Sequence, residues 1–259
     1  MAGLDPRTPV LVGGGQVSNR VDRGETALEP VELLTEAARR AAADTGVADA
    51  AGVLAAVDAV RVAHILSWPY RDPGALVAER IGAAGCRLTG YATIGGNVPQ
   101  LLVNRTCVDI AAGRLDVALV GGAEAWRTRT EARAAGTQPP WATQSADVAP
   151  DEILGDDRAM VGPAEVARGV VMPVQVYPLF ESALRAAAGR RPEDHVARIT
   201  DLWSRFSQVA AANPHAWVQQ AFTADELAGP EVGGRMIGLP YRKRLNASNA
   251  VEQLSLIHI

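Results

Sequence analysis

The sequence predicts an α/β protein: α-β-α layers around a mainly parallel sheet, carrying a mostly helical insertion. Three observations predict it. Short apolar runs alternate with segments of helical period up to about residue 125. Within that stretch, Tyr91 to Ala125 reads strand, glycine turn, helix, strand, glycine turn. After Trp126 the composition changes, and the apolar period returns only in two long helical segments.

The elements follow in order. Pro9 to Val12 is a short apolar run before Gly13-Gly14-Gly15, which predicts a strand stopped by a turn. Pro30 to Thr45 is a helix: proline suits a first turn, Leu33, Leu34, Ala37, Ala38 and Ala41 recur at helical spacing, and Gly46 can end it. Val57 to Leu66 is a second strand, Pro73 to Gly82 a short helix and Thr89 to Ile94 a third strand. The next helix starts after Gly96, with Asn97 as its cap and Pro99 in its first turn, and ends near Gly113. Its apolar residues cover most of its circumference, which predicts burial on more than one side. Asp116 to Val120 is the fourth strand. Strands and helices alternating at this length predict a parallel sheet with right-handed crossovers.

Residues 127–170 are rich in Arg, Ala, Pro, Asp and Gly without a clear period, too long for an ordinary connection. Helices follow at Val176 to Ala188 and Glu193 to Ala212, the second ended by Asn213-Pro214. The expected organisation is a core over 1–125, a helical insertion over 126–240 and a return to the sheet over 241–253.

Composition narrows the class. The chain has 259 residues, 48% of them hydrophobic, and a formal charge of −4. That supports a sizeable core and gives no electrostatic case for nucleic acid. No run of about 18 apolar residues predicts a membrane span, and the N-terminus lacks the pattern of a signal peptide. Two cysteines, Cys86 and Cys107, are too few for a zinc site or a disulfide framework. A reduced, cytoplasmic protein is expected.

Candidate chemistry centres on Gly95-Gly96-Asn97. A helix N-terminus at the edge of a parallel sheet offers backbone N–H groups to a nucleophile or an anion, yet this turn supplies no side chain able to attack. Gly121, Gly122 and Glu124 form the second turn, where Glu124 is expected to fix the turn or an inter-domain hydrogen bond. Cys107 lies eleven residues after Gly96, about 16 Å along the helix, and both cysteines read as packing. His64 reads as a core or rim histidine, His195 as a solvated residue in a first helical turn, and His215 as a surface residue able to touch a phosphate. Gly13-Gly14-Gly15 begins a dinucleotide fingerprint that fails at Ser18, and no helix opens there.

The segments DIAAGRLDVALVGGAEA (Asp109 to Ala125) and ITDLWSRFSQVAAANPHAW (Ile199 to Trp217) resemble the thiolase superfamily, in particular the acetyl-CoA acetyltransferase and sterol carrier protein X thiolase-like branch. The resemblance runs over nearly all of residues 8–253. It implies the N-terminal half of the fold plus a loop domain that contacts coenzyme A. It implies an acyl-CoA C-acyltransferase using a cysteine at the N-terminus of the central helix, activated by the helix dipole, and acylated by a thioester. No resident cofactor is implied; a coenzyme A thioester is substrate or ligand. Counting back 25 residues from Gly121 reaches Gly96, so glycine stands where the resemblance requires the nucleophile. The alternative is a non-catalytic thiolase-like protein that binds coenzyme A esters or scaffolds a partner. Gly95, Gly96, Asn97, Gly121, Gly122, Glu124 and His215 are then the substrate-binding candidates, with no catalytic residue and no metal ligand. Arg127, Arg129, Arg133, Arg185, Arg190 and Arg191 are candidates for coenzyme A phosphates or simply a solvated face.

The resemblance also implies a second, pseudo-symmetric half that supplies a histidine and a second cysteine. The chain is therefore expected to be a fragment exposing a large apolar face, with a homo-oligomer through the sheet region or a partner supplying the missing function. The last six residues, Leu254 to Ile259, match a translated sequencing-library adapter and are expected to be foreign to the protein.

Overall fold

The computed structural model describes residues 5–156, 158–214 and 216–246, together with the backbone of a strand over 252–258. Two units are present, one of residues 1–157 and 249–259, the other of residues 158–248.

The first unit begins with β1 (Gly13–Ser18) and α1 (Pro30–Asp44), then α2 (Ala50–Ala55), β2 (Ala59–Val62), α3 (Pro73–Ile81) and β3 (Leu88–Ala92). It continues with α4 (Val98–Ala111), β4 (Ala118–Ala125), α5 (Trp126–Ala134), β5 (Glu152–Leu154) and β8 (Glu252–His258). The caps have identifiable causes. Pro30 opens α1, and the Glu32 carboxylate accepts the Glu29 N–H. Asp72 accepts the Ala75 N–H at the start of α3, and Gly82 ends that helix in a left-handed conformation.

The sheet order is β1-β8-β4-β2-β3-β5. Strands β4, β2, β3 and β5 run parallel, as expected, and β8 lies antiparallel between β1 and β4, which makes the whole sheet mixed. Residues 254–258, expected to be foreign, are thus paired along their backbone.

Strand alternation sends side chains to two faces. Val60, Val62, Leu119 and Ala123 join α1 and α3 in one core, around Leu33, Leu34, Ala37, Ala38 and Val77. Ala59, Ala118, Val120 and Leu154 join α4 through Val98, Leu102 and Ile110 in another. These are the α-β-α layers the sequence predicts.

Three expectations are corrected. The first strand is Gly13–Ser18, and the triglycine lies inside it instead of stopping it. A Cβ on Gly13 would sit 2.2 Å from the Ala41 carbonyl oxygen, and one on Gly15 2.1 Å from that of Ala37. Glycine is required because α1 crosses the strand in contact with it, and the triglycine forms no phosphate-binding loop. Second, α4 buries one face, through Val98, Leu102, Thr106, Asp109 and Ile110, while Val108 is 57% exposed. Third, residues 126–157, expected in the insertion, belong to the sheet unit: β5 extends the sheet beside β3, and Trp141 packs edge-on against Trp68.

The second unit holds α6 (Pro163–Ala167), α7 (Pro173–Ala187), α8 (Pro192–Ala212), α9 (Ala224–Ala228) and α10 (Pro230–Gly233), with a hairpin of β6 (Met236–Gly238) and β7 (Tyr241–Arg242). Its small core gathers Ile199, Phe222, Leu227 and Leu245. Ser204 ties α8 to it by donating to the Phe222 carbonyl at 2.7 Å. Among the described residues no helix is long and apolar enough to cross a membrane.

Candidate functional site

The start of α4 is set by the turn before it. Val98 N–H donates to the Gly95 carbonyl and Leu101 N–H to that of Asn97. Pro99 has no N–H to offer. The helix end therefore presents fewer donors than a helix N-terminus otherwise would. Asn97 already has helical angles, and its side chain makes no capping bond, contrary to the expected cap.

Gly96 is exposed, and a Cβ placed on it would meet nothing within 4 Å. The position is open, so its glycine answers no steric demand among the described residues. On Gly95 a Cβ would meet only the Asn97 side-chain oxygen, at 2.7 Å. No thiol approaches by another route. Cys107 is three turns along α4 and packs, half-buried, with the second core. Cys86 lies in the connection before β3; burial pushes its thiol up, and its Sγ–H donates to the Leu88 carbonyl.

Beside the first two turns of α4 lies a mainly apolar cleft of about 340 Å³. Pro99, Gln100, Leu102 and Val103 form one wall, and Ala63, Val120, Gly121 and Gly122 the other. Gly122 keeps that wall thin: a Cβ there would press on Ala63 at 3.0 Å. Gly121 and Gly122 thus join the helix start in one place; Gly95, Gly96 and Asn97 are not among the lining residues.

Glu124 stands apart from the cleft. Its two carboxylate oxygens accept the N–H groups of Leu66 (2.6 Å) and Ser67 (2.8 Å). Ser67 Oγ in turn accepts the Ala125 N–H. Glu124 therefore holds the segment after β2 against the end of β4. His64 in that segment is half-buried and stacked on Tyr91, ring centroids 5.3 Å apart. The Tyr91 hydroxyl accepts the Ile65 N–H, and burial pushes its pKa up.

Sequence reasoning missed Arg61. Fully buried on β2, it pairs with Asp109 of α4, bonds Thr106 at 2.8 Å and pairs with Glu152 of β5 at 2.7 Å. Burial pushes the Asp109 carboxyl up, but the hydrogen bonds from Arg61 and Arg114 outweigh it and hold the group below the usual carboxylate range. The available signal was one arginine inside the apolar run Val57 to Leu66.

The candidate arginines divide between the units. In the first, Arg127 pairs with Glu131, and Arg129 stacks on Trp126 and donates to the Leu66 carbonyl. In the second, Arg191 pairs with Asp194, and Arg185 donates to the Arg190 carbonyl. His215 lies outside the described residues. His195, expected to be solvated, is buried: its Nε2 faces Glu181 Oε1 at 2.6 Å. The correction comes from α7, whose Glu181 covers the polar first turn of α8. Among the described residues no group of three or more His, Cys, Asp or Glu could hold a metal ion.

No family model matches the chain, and no curated protein does. Solved structures do. A monomeric SCP2-thiolase-like protein type 1 from Mycobacterium smegmatis is 30% identical, with 98% of this chain and 46% of that one covered and a TM-score of 0.71. The Ltp2–ChsH2(DUF35) aldolase is 18% identical over 98% and 55%, TM-score 0.59. An acetyl-CoA acetyltransferase from Syntrophomonas wolfei is 14% identical over 96% and 63%, TM-score 0.51. The chain spans about half the length of the first two. The chain has a thiolase-like fold.

Proposed function

We propose that this chain belongs to a thiolase-like protein that binds a coenzyme A ester without forming an acyl-enzyme. One observation supports the reading: Gly96, where the resemblance would put the nucleophile, is open and exposed, and the cysteine on α4, Cys107, lies about three turns away. Covalent acyl transfer needs a group that attacks the thioester carbonyl, and glycine has none. The apolar cleft at the helix start suits an acyl or pantetheine chain, which binds by burial without any reacting side chain.

The same open space supports a second reading, the acyl-CoA C-acyltransferase, in which a nucleophile from outside this chain enters beside Gly96. The Ltp2–ChsH2(DUF35) aldolase joins a chain of this fold to a DUF35 protein, which makes scaffolding of a partner a further use of a non-acylated fold.

The test is incubation of the chain, and of Gly96→Cys, with radiolabelled acetyl-CoA, followed by denaturing separation and equilibrium dialysis. The wild-type chain is expected to retain the ester saturably and carry no covalent label. Label on a wild-type cysteine, or no saturable retention, overturns the proposal. Label confined to residue 96 of the variant would support acyl-transfer geometry around an absent nucleophile.

A further inference from the structure

The cleft beside α4 has a size and a chemistry that distinguish the two ends of a coenzyme A ester. Along one face of β4 come Ala118, Val120 and Gly122. The first two join Val98 and Leu102 of α4 in the second core. At Gly122 the row runs out of side chain. Its neighbour is Ala63, just past the end of β2, whose N–H donates to the Gly121 carbonyl at 2.8 Å. A Cβ on Gly122 would already press on the Ala63 methyl at 3.0 Å. Pro99 and Val103 of α4 line the opposite wall, and the space left is about 340 Å³. The cleft therefore exists because residues 63 and 122 are small.

The lining decides which end of the ester fits. Gln100 is its one polar side chain among the described residues, and its amide already donates to the Asn104 side-chain oxygen at 2.8 Å. The pantetheine arm carries two amides and a hydroxyl. Each of these, buried without a partner, weakens binding about fivefold or more, and one half-used glutamine cannot serve all three. An aliphatic acyl chain asks for no partner, and each methylene it buries strengthens binding by up to about fourfold. Acetyl offers a single methyl group, whereas a cleft of this volume falls in the range of about 300–1,000 Å³ that encloses whole small ligands.

We infer that the cleft seats the acyl group and not the pantetheine arm, that it favours aliphatic chains longer than acetyl, and that Ala63 and Gly122 are the residues that limit their length. The inference rests on the coenzyme A ester reading and names the part of the ester that the cleft takes. All the lining residues belong to the first unit.

The test is isothermal titration of the full chain with acetyl-, butyryl-, hexanoyl- and octanoyl-CoA. Affinity is expected to rise about two- to fourfold per methylene up to a limiting length. Ala63→Leu fills the cleft from the sheet and is expected to bring that limit down by at least one member of the series. Val103→Phe fills it from the helix and is expected to do the same, which keeps the inference falsifiable if Ala63→Leu does not fold. A merely structural role for these residues would change stability without moving the limit. Affinity independent of chain length, or a limit that neither variant moves, overturns the inference and leaves the ester-binding reading standing. Saturable binding of none of the four esters overturns both.

Discussion

Gly15→Ala tests the contact between β1 and α1. The added Cβ would lie 2.1 Å from the Ala37 carbonyl oxygen and 2.8 Å from the Ala41 nitrogen, against the 3.4 Å at which ordinary contact begins. Strand and helix must separate by about 1.3 Å, the difference of 3.4 and 2.1. The obstacle is backbone, so no rotamer change relieves it, and the helix face behind it, Leu33, Leu34, Ala37, Ala38 and Ala41, is fully buried. Overpacking a core costs about 1–3 kcal/mol, and a backbone obstacle belongs at the upper end. Against this, alanine restricts the unfolded chain and returns about 0.4–1 kcal/mol. The net expectation is a loss of about 2 kcal/mol, roughly thirty-fold in the folded-to-unfolded ratio. Equilibrium urea unfolding, followed by tryptophan fluorescence and circular dichroism, should show a lower midpoint at unchanged slope. Gly96→Ala is the control: with nothing within 4 Å of its Cβ, it should change stability by no more than about 0.5 kcal/mol. A neutral or stabilising Gly15→Ala would refute the close crossing and, with it, the reason given for the triglycine.

Other consequences are equally direct. Glu124→Gln replaces one of the two carboxylate acceptors with an amide donor aimed at an N–H; it should cost about 2 kcal/mol and speed hydrogen exchange at Leu66 and Ser67, and unchanged exchange there would contradict the role given to the carboxylate. Arg61→Met removes the buried guanidinium shared by Asp109 and Glu152, leaving them the half-exposed Arg105 and Arg114, and should destabilise by about 3 kcal/mol in urea titrations. Because the folded Asp109 is held below its unfolded value, its contribution is present above about pH 4 and is lost as pH falls through the folded value; Arg61→Met should therefore lose less of its remaining stability on acidification than the parent. Burial pushes the Cys86 thiol up, so alkylation of Cys86 by iodoacetamide at neutral pH should be at least about tenfold slower than that of a free cysteine, as read by peptide mass spectrometry.

What was legible in the chain was what local patterns encode. The strand–turn–helix–strand run from Tyr91 to Ala125 announces itself by switching between periods of two and 3.6, and the ends of α1 and α3 by Pro30, Pro73 and Gly82. That residue 96 is a glycine is plain in the chain, but that the space around it is open is not. What escaped depends on distant partners. A glycine run has the local signature of a turn, but Gly13 and Gly15 answer to carbonyls on α1. Glu193 and Asp194 make the first turn of α8 look solvated, while the burial of His195 comes from Glu181 on another helix. β5 is three residues inside a stretch without period, recruited by the edge of β3. The cleft beside α4 joins two segments that each read as ordinary secondary structure.

The Arg61 cluster makes α4 a cantilever. Thr106 and Asp109, in its later turns, are bolted through one buried guanidinium to β2 and β5. Ahead of its buried first residue Val98 comes the turn at residues 95–97, where the Asn97 side chain makes no cap and a Cβ on Gly96 would meet nothing within 4 Å. Anchorage and tip are separate along the same rod. Side chains at the tip can therefore be exchanged without disturbing what holds the helix, and a change of chemistry there can be measured apart from a change of fold.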